Sequence, residues 1–262
     1  MKNAALFFIV PFLFGVVYSG TVTLTGACTQ QSGNGLVIFN LSNSGNSTAS
    51  AISVILNLPW HNNFENYSAG SIDPGQALRF NAMISAPQSN GSYVSYFDVD
   101  YSQSSSEFSA VFPCLLKYGS NAPNNITLSY QIHSSGYDYT VNVYAHNIGA
   151  SAINDNISLI LPSGFSYSSP KYVRLTISPF TTANASFQLS SAVEGSYSGA
   201  IVSNYNSDGI NYAAMTGISI VSTASSGNGY NFIDLFYAFL IIVILLMLML
   251  ILRAIIIKKS KS

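Results

Sequence analysis

Few residues in this chain have the type and spacing to do chemistry. The two cysteines, Cys28 and Cys114, could pair or remain buried thiols. The three histidines, His61, His133 and His146, are scattered, with no paired spacing of the kind that holds a metal. His146 precedes an N-I-G turn and reads as an exposed, turn-flanking residue. Asp98 and Asp100, in the run F-D-V-D-Y, share the outward face of one strand. Calcium would need about six oxygens there, so the pair reads as a solvated strand face rather than a cation site. There is no G-x-S-x-G, no H-E-x-x-H and no P-loop. Serines abound without a recognisable base. No catalytic, cofactor-binding or metal-binding residue is assigned, and no cofactor is expected. Asn-x-Ser/Thr sequons stand at Asn40, Asn46, Asn66, Asn90, Asn125, Asn156 and Asn184. They are candidate N-glycosylation acceptors if the host modifies asparagine outside the membrane, and ordinary turn and surface residues if it does not. Tyr96, Tyr137 and Tyr139 are expected to be exposed and to offer a patch for sugar or protein.

The elements that must carry these residues come from an internal repeat. At an offset of about 104 residues, T-V-T-L at Thr21 falls on N-I-T-L at Asn125, and N-S-G at Asn43 falls on N-I-G at Asn147. I-D-P-G at Ile72 meets I-S-P-F at Ile177, and N-G-S-Y at Asn90 meets E-G-S-Y at Glu194. Each unit consists of short period-two runs separated by Gly, Pro, Asn and Ser clusters, which predicts an all-β chain of two tandem β-sandwiches. Comparing the copies fixes which side of each strand faces in. Val37, Phe39 and Leu41 should point inward with Val141, Val143 and Ala145. Val54, Leu56 and Leu58 should do so with Ile157, Leu159 and Leu161, leaving Ser53, Ile55 and Asn57 outside. Cys28 and Cys114 fall on Ile132 and Ile218, at inward positions of the first and last strands of copy one. This register predicts a Cys28–Cys114 disulfide.

Charged residues make up only 7% of the chain against 48% hydrophobic. The overall net charge of −1 hides an asymmetry, since nine acidic residues against four basic ones leave the middle of the chain near −5. A mildly acidic surface disfavours nucleic acid, which needs clustered cations. At the N-terminus, Lys2, an apolar run from Ala4 to Val17 and small residues at Ser19 and Gly20 have the layout of a secretory signal, cleaved near Ser19 or retained as an anchor. Leu235 to Leu252 is free of charge and is followed by Arg253, Lys258, Lys259 and Lys261, as expected of a transmembrane helix with its C-terminus in the cytoplasm. The predicted organisation is a signal peptide over 1–19, sandwiches over 20–118 and 119–222, a linker over 223–231, a transmembrane helix over 232–257 and a basic tail over 258–262. Arranged end to end, the sandwiches would reach roughly 70–80 Å above the membrane.

The run V-I-F-N-L-S-N-S-G-N-S-T-A-S-A-I-S-V-I-L-N-L-P, followed by I-D-P-G-Q and N-G-S-Y-V-S-Y-F-D-V-D-Y, resembles the Ig-like modules of archaeal S-layer-related surface proteins and CARDB-type adhesion modules. Their pattern is a strand ending in N-x-G, a strand ending near Pro, an (S/D)-P-G turn and G-x-Y opening a strand. Copy two departs from it with S-P-F-T at Ser178. The resemblance implies a non-catalytic envelope or adhesion module with no catalytic residue to carry over. The expected function is a membrane-anchored cell-surface protein, structural or adhesive, with other envelope proteins or surface glycans as partners and lipid around its helix. The alternative is an accessory subunit of a membrane transporter or enzyme complex.

Overall fold

The computed structural model describes residues 20–31, 35–104, 106–119, 124–192, 194–222, 239–241 and 243. The expected signal peptide, linker, basic tail and nearly all of the expected span lie outside these residues. Within the span, Phe239, Leu240, Ile241 and Val243 are helical. Among the described residues no helix is long and apolar enough to cross a membrane. The chain divides into a unit ending at Thr223, which holds both copies of the repeat, and a second over Ala224–Ser262.

Copy one comprises β1 (Leu24–Gln30), β2 (Leu36–Asn43), β3 (Ala49–Leu58), β4 (His61–Ile72), β5 (Ala77–Met83), β6 (Gly91–Gln103) and β7 (Ser106–Tyr118). Copy two comprises β8 (Ile126–Ser135), β9 (Asp138–Asn147), β10 (Ile153–Ile160), β11 (Phe165–Tyr167), β12 (Tyr172–Ile177), β13 (Thr182–Ser191), β14 (Gly195–Ser207) and β15 (Ile210–Ser222). In the first copy the sheet β1-β2-β5 faces β7-β6-β3-β4, and in the second β11-β13-β9-β8 faces β12-β10-β14-β15. Each copy is therefore an Ig-like β-sandwich with its own core.

Alternation sets those cores. Val37, Phe39 and Leu41 are fully buried, as are Val141, Val143 and Ala145, because successive side chains of a strand point to opposite faces. Phe39 stacks on Phe97 of the facing sheet, ring centroids 4.1 Å apart. Val54, Leu56, Ile157 and Leu159 are buried, whereas Leu58 and Leu161, at the strand ends, are half-buried. The disulfide Cys28–Cys114 joins β1 to β7, clamping the two sheets of sandwich one across its core. Ile218 is buried and Ile132 half-buried at the equivalent positions of sandwich two.

The N-x-G motifs explain how each sandwich is pinned at one end. Asn43 and Asn147 are buried at the ends of β2 and β9. Asn147 Oδ1 accepts from Gly149 N–H at 2.9 Å, while Nδ2 donates to the carbonyls of Ser151 (2.8 Å) and Ile177 (3.1 Å). Asn43 repeats the arrangement with Gly45 at 3.0 Å, Ser47 at 2.7 Å and Ile72 at 3.0 Å. One amide thus closes its own turn and holds the end of a neighbouring strand, satisfying carbonyls that would otherwise be buried without partners.

The two sandwiches do not stand end to end. The outward face of β6 and β7 packs on sandwich two through a small cluster of Val94, Ala200, Val202 and Ala213, with Leu115 and Ile160 beside it. Gly91 forms a parallel bridge with Asn211, and a Cβ at Gly91 would lie 2.0 Å from the Asn211 carbonyl oxygen. The Asn211 side chain donates to Ser92 O at 2.6 Å, and Ala213 N–H donates to Ser92 Oγ at 2.9 Å. At the far end, Ser109 Oγ donates to Ser163 O at 3.1 Å. Ser109 pairs with Asp100, and Asp100 lines a cleft with Tyr197, whose strand partner is Ile220. Counting from Gly91 and Asn211, Asp100 and Ile220 lie equally far along β6 and β15, so the two strands run alongside each other. Corresponding strands of the two copies therefore run in opposite senses. Gly20 and Val22 are held by the Gln103 side chain at the end of β6, and Ser222 ends β15. The first and last described residues of the body leave from the same end.

Candidate functional site

The most site-like feature is the cleft where the sandwiches meet at that end. β6 and β7 contribute Asp100, Ser102, Glu107 and Ser109, and sandwich two contributes Ser163 and Tyr197, around a volume of about 510 Å³. A bulge shapes its wall. The register of β3 on β6 slips between Ser50 and Ser53, and Ala51 there has a φ of 51°, a left-handed conformation that L residues resist.

Asp98, Asp100 and Glu107 line the outward face of β6 and β7, but that face is not the solvated one expected from sequence. Val111, the outward-facing strand partner of Asp98, is 1% exposed, and Asp98 and Tyr96 are half-buried. Burial, then the neighbouring Asp100, pushes the Asp98 carboxyl up to about 6, and its Oδ1 has no hydrogen-bond partner. Asp100 is raised by burial and by Glu107, and Tyr96 by burial and by Asp98. Among the described residues, no group of three or more His, Cys, Asp or Glu could hold a metal ion. The cleft offers clustered acidity and hydroxyls, with no nucleophile held against a base.

Asp155, which sequence reading passed over, lies buried in sandwich two. Ser203 Oγ lies 2.9 and 2.8 Å from its two carboxylate oxygens. Burial raises its pKa against the opposing pull of Ser203 and the backbone of Asn156 and Asn204. Copy one has Ile52 and Val99 at these places, both buried. The inward parity that Asp155 shares with Ile153 and Ile157 was the available signal. Sealed from solvent, the pair is a polar element of the core.

The remaining candidates stay dispersed. His133 is exposed, and His146 Nδ1 lies 3.0 Å from Thr182 Oγ1. The expected tyrosine patch does not form. Tyr139 is 3% exposed because it shares the inward parity of Val141, and Tyr96 is half-buried. Of the sequon asparagines, Asn40, Asn46, Asn66, Asn90 and Asn184 are exposed, while Asn125 and Asn156 are half-buried. Asn156 Oδ1 is buried without a hydrogen-bond partner.

No family model and no curated protein matches the chain, so the S-layer-related and CARDB-type resemblance rests on the quoted motifs alone. Among solved structures, a red sea bream transglutaminase is similar at 12% identity and a TM-score of 0.28, over 80% of this chain and 32% of that one. A Salmonella alpha-2-macroglobulin mutant is similar at 11% identity and a TM-score of 0.31, over 76% of this chain and 16% of that one. An Escherichia coli alpha-2-macroglobulin gives 8% identity and a TM-score of 0.28, over 77% and 18%. This chain spans less than a third of each, and no functional argument rests on likenesses at these scores.

Proposed function

We propose that the chain is a membrane-anchored cell-surface protein with a structural or adhesive, non-catalytic role in the cell envelope, of the S-layer-related or CARDB-like kind. The observation that carries this reading is the common exit of both ends of the two-sandwich body. Gly20, next to the N-terminal apolar run, and Ser222, before the uncharged stretch from Leu235 to Leu252, leave from one end. In this reading both apolar stretches continue, in sequence, from the same end of the body, and its disulfide and exposed sequons suit an extracytoplasmic location. Expression of the full chain followed by alkaline extraction and protease treatment of intact cells tests it. The expected result is a protein retained in the membrane pellet, with the sandwiches digested from outside. Release into the alkaline supernatant, or full protection from external protease, would overturn the reading.

A further inference from the structure

The contact between the sandwiches is built unevenly from one end to the other. At one end it is tied by backbone: Gly91 and Asn211 form their bridge, Asn211 N–H donates to Asn90 O at 3.1 Å, and Ala213 N–H donates to Ser92 Oγ at 2.9 Å. Apolar packing starts beside this bridge, with Val94 three residues past Gly91 and Ala213 two past Asn211. At the other end the sandwiches touch through the Ser109 hydroxyl, 3.1 Å from Ser163 O and 2.7 Å from Ser163 Oγ. The cleft of about 510 Å³ lies beside that contact.

The carboxylates gather at the loosely held end. Asp98 and Asp100 lie seven and nine residues past Gly91, and Glu107 pairs with Ser102 across β6 and β7. Among the described residues, β6 sets Tyr96 and Asp100 near Asp98, β7 adds Glu107 next to Asp100, and β3 opposes Asp98 with Ile55. Sandwich two brings Ser163 and Tyr197, and no Lys, Arg or His is among the described residues lining the cleft. An ionised carboxylate is held by solvent, by a cation or by hydrogen-bond donors. Closure of the cleft reduces the first, and Asp98 Oδ1 is buried with no donor on it.

We propose that the two sandwiches form an acid-closed hinge, pivoting at the Gly91–Asn211 bridge and opening at the cleft as Asp98, Asp100 and Glu107 lose their protons. The sign follows from burial. The closed arrangement pushes the Asp98 carboxyl up to about 6, so the closed form binds this proton more tightly than an open form whose carboxylates face water. Closure is favoured below the ordinary value of 3.8, and that preference is lost as pH rises through about 6. A difference of this size changes the ratio of closed to open molecules by at most about a hundredfold, which carries a closed majority of about ten to one into an open majority of the same size. Repulsion between ionised Asp100 and Glu107 acts in the same direction. The bridge and the apolar packing beside it stay together, while Asp98, Tyr96 and Ser163 gain solvent.

The test uses the full chain in detergent, carrying spin labels at pairs of exposed positions. One pair, Ser106 with Ser166, spans the mouth; the other, Gln88 with Ser207, spans the pivot. Between about pH 5 and about pH 8, the mouth distance is expected to lengthen by several ångströms while the pivot distance holds. Asp98→Asn should keep the short mouth distance across that range with the pivot distance of wild type. An unchanged mouth distance in wild type, or opening of Asp98→Asn to the wild-type extent, would overturn the hinge. Lengthening of both pairs together would mean that the sandwiches separate altogether and would overturn the pivot.

Discussion

At the scale of single residues, the polar groups that matter are those the fold has taken out of water. Asn147 holds three carbonyls and one N–H through a single amide. Asn147→Ala strips buried carbonyls of their donor and should cost about 2–4 kcal/mol in equilibrium denaturation, where a loss under about 0.5 kcal/mol would contradict the pinning role. Asp98 gives a prediction in pH. Its folded-state value, about 6, lies above the ordinary 3.8, so the folded protein binds this proton more tightly than the unfolded chain does. The stabilisation is present below the ordinary value and lost as pH rises through about 6. Asp100, Glu107 and Tyr96 share that face. Asp98→Asn should therefore stabilise the protein at pH 7.5 by on the order of 1 kcal/mol, discounted for partial exposure, and change little at pH 4. A larger effect at pH 4 would reverse the assignment. The N-x-G turns were legible as motifs, but the reach of one amide to Ile177 was not, because it depends on which strand ends beside it.

At the scale of elements, strand orientation was readable wherever the two copies could be compared. A single copy of L-V-I-F-N-L is apolar almost throughout and leaves its register open; the cleaner T-V-N-V-Y-A settles it. The same comparison placed Cys28 and Cys114 across the core. Removing the clamp with a Cys28→Ala/Cys114→Ala double substitution should lower stability by about 2–4 kcal/mol, since the bridge spans 86 residues of chain. Calorimetry of oxidised, reduced and substituted protein checks this, and a reduced form as stable as the oxidised one would refute it. What alternation could not reveal is the cover over the outward face of β6 and β7. Val94 and Val111 were apolar residues on the wrong side, a signal of a second packed surface. Gly91 sits at its closest point, where a Cβ would strike the Asn211 carbonyl. Gly91→Val should split the contact and cost about 1–3 kcal/mol, seen as two thermal transitions where wild type gives one; a single unshifted transition would argue against the contact.

At the scale of the whole molecule, the antiparallel association changes what the two-sandwich body presents. A tandem string would rise by two domain lengths. The observed body rises by about one, roughly 43 Å for a strand of 13 residues such as β6, and brings both chain exits, the acidic cleft and the polar turn of copy one to one end. The other end carries residues of both copies, with Gln30 and Trp60 of copy one beside Lys117 and Tyr118, and the Asn147–Gly149 turn of copy two. Nothing in the strand sequences dictates that arrangement, because it depends on contacts between faces that are each, taken alone, plausible solvent surfaces.

The most direct test of two sandwiches lying side by side in opposite senses is a pair of distances between spin labels, one at Ser44 with Val221 and one at Ser44 with Ala150. The side-by-side body gives the shorter distance for Ser44 with Val221, since both lie at the end where Gly20 and Ser222 leave. A shorter distance for Ser44 with Ala150 would contradict it.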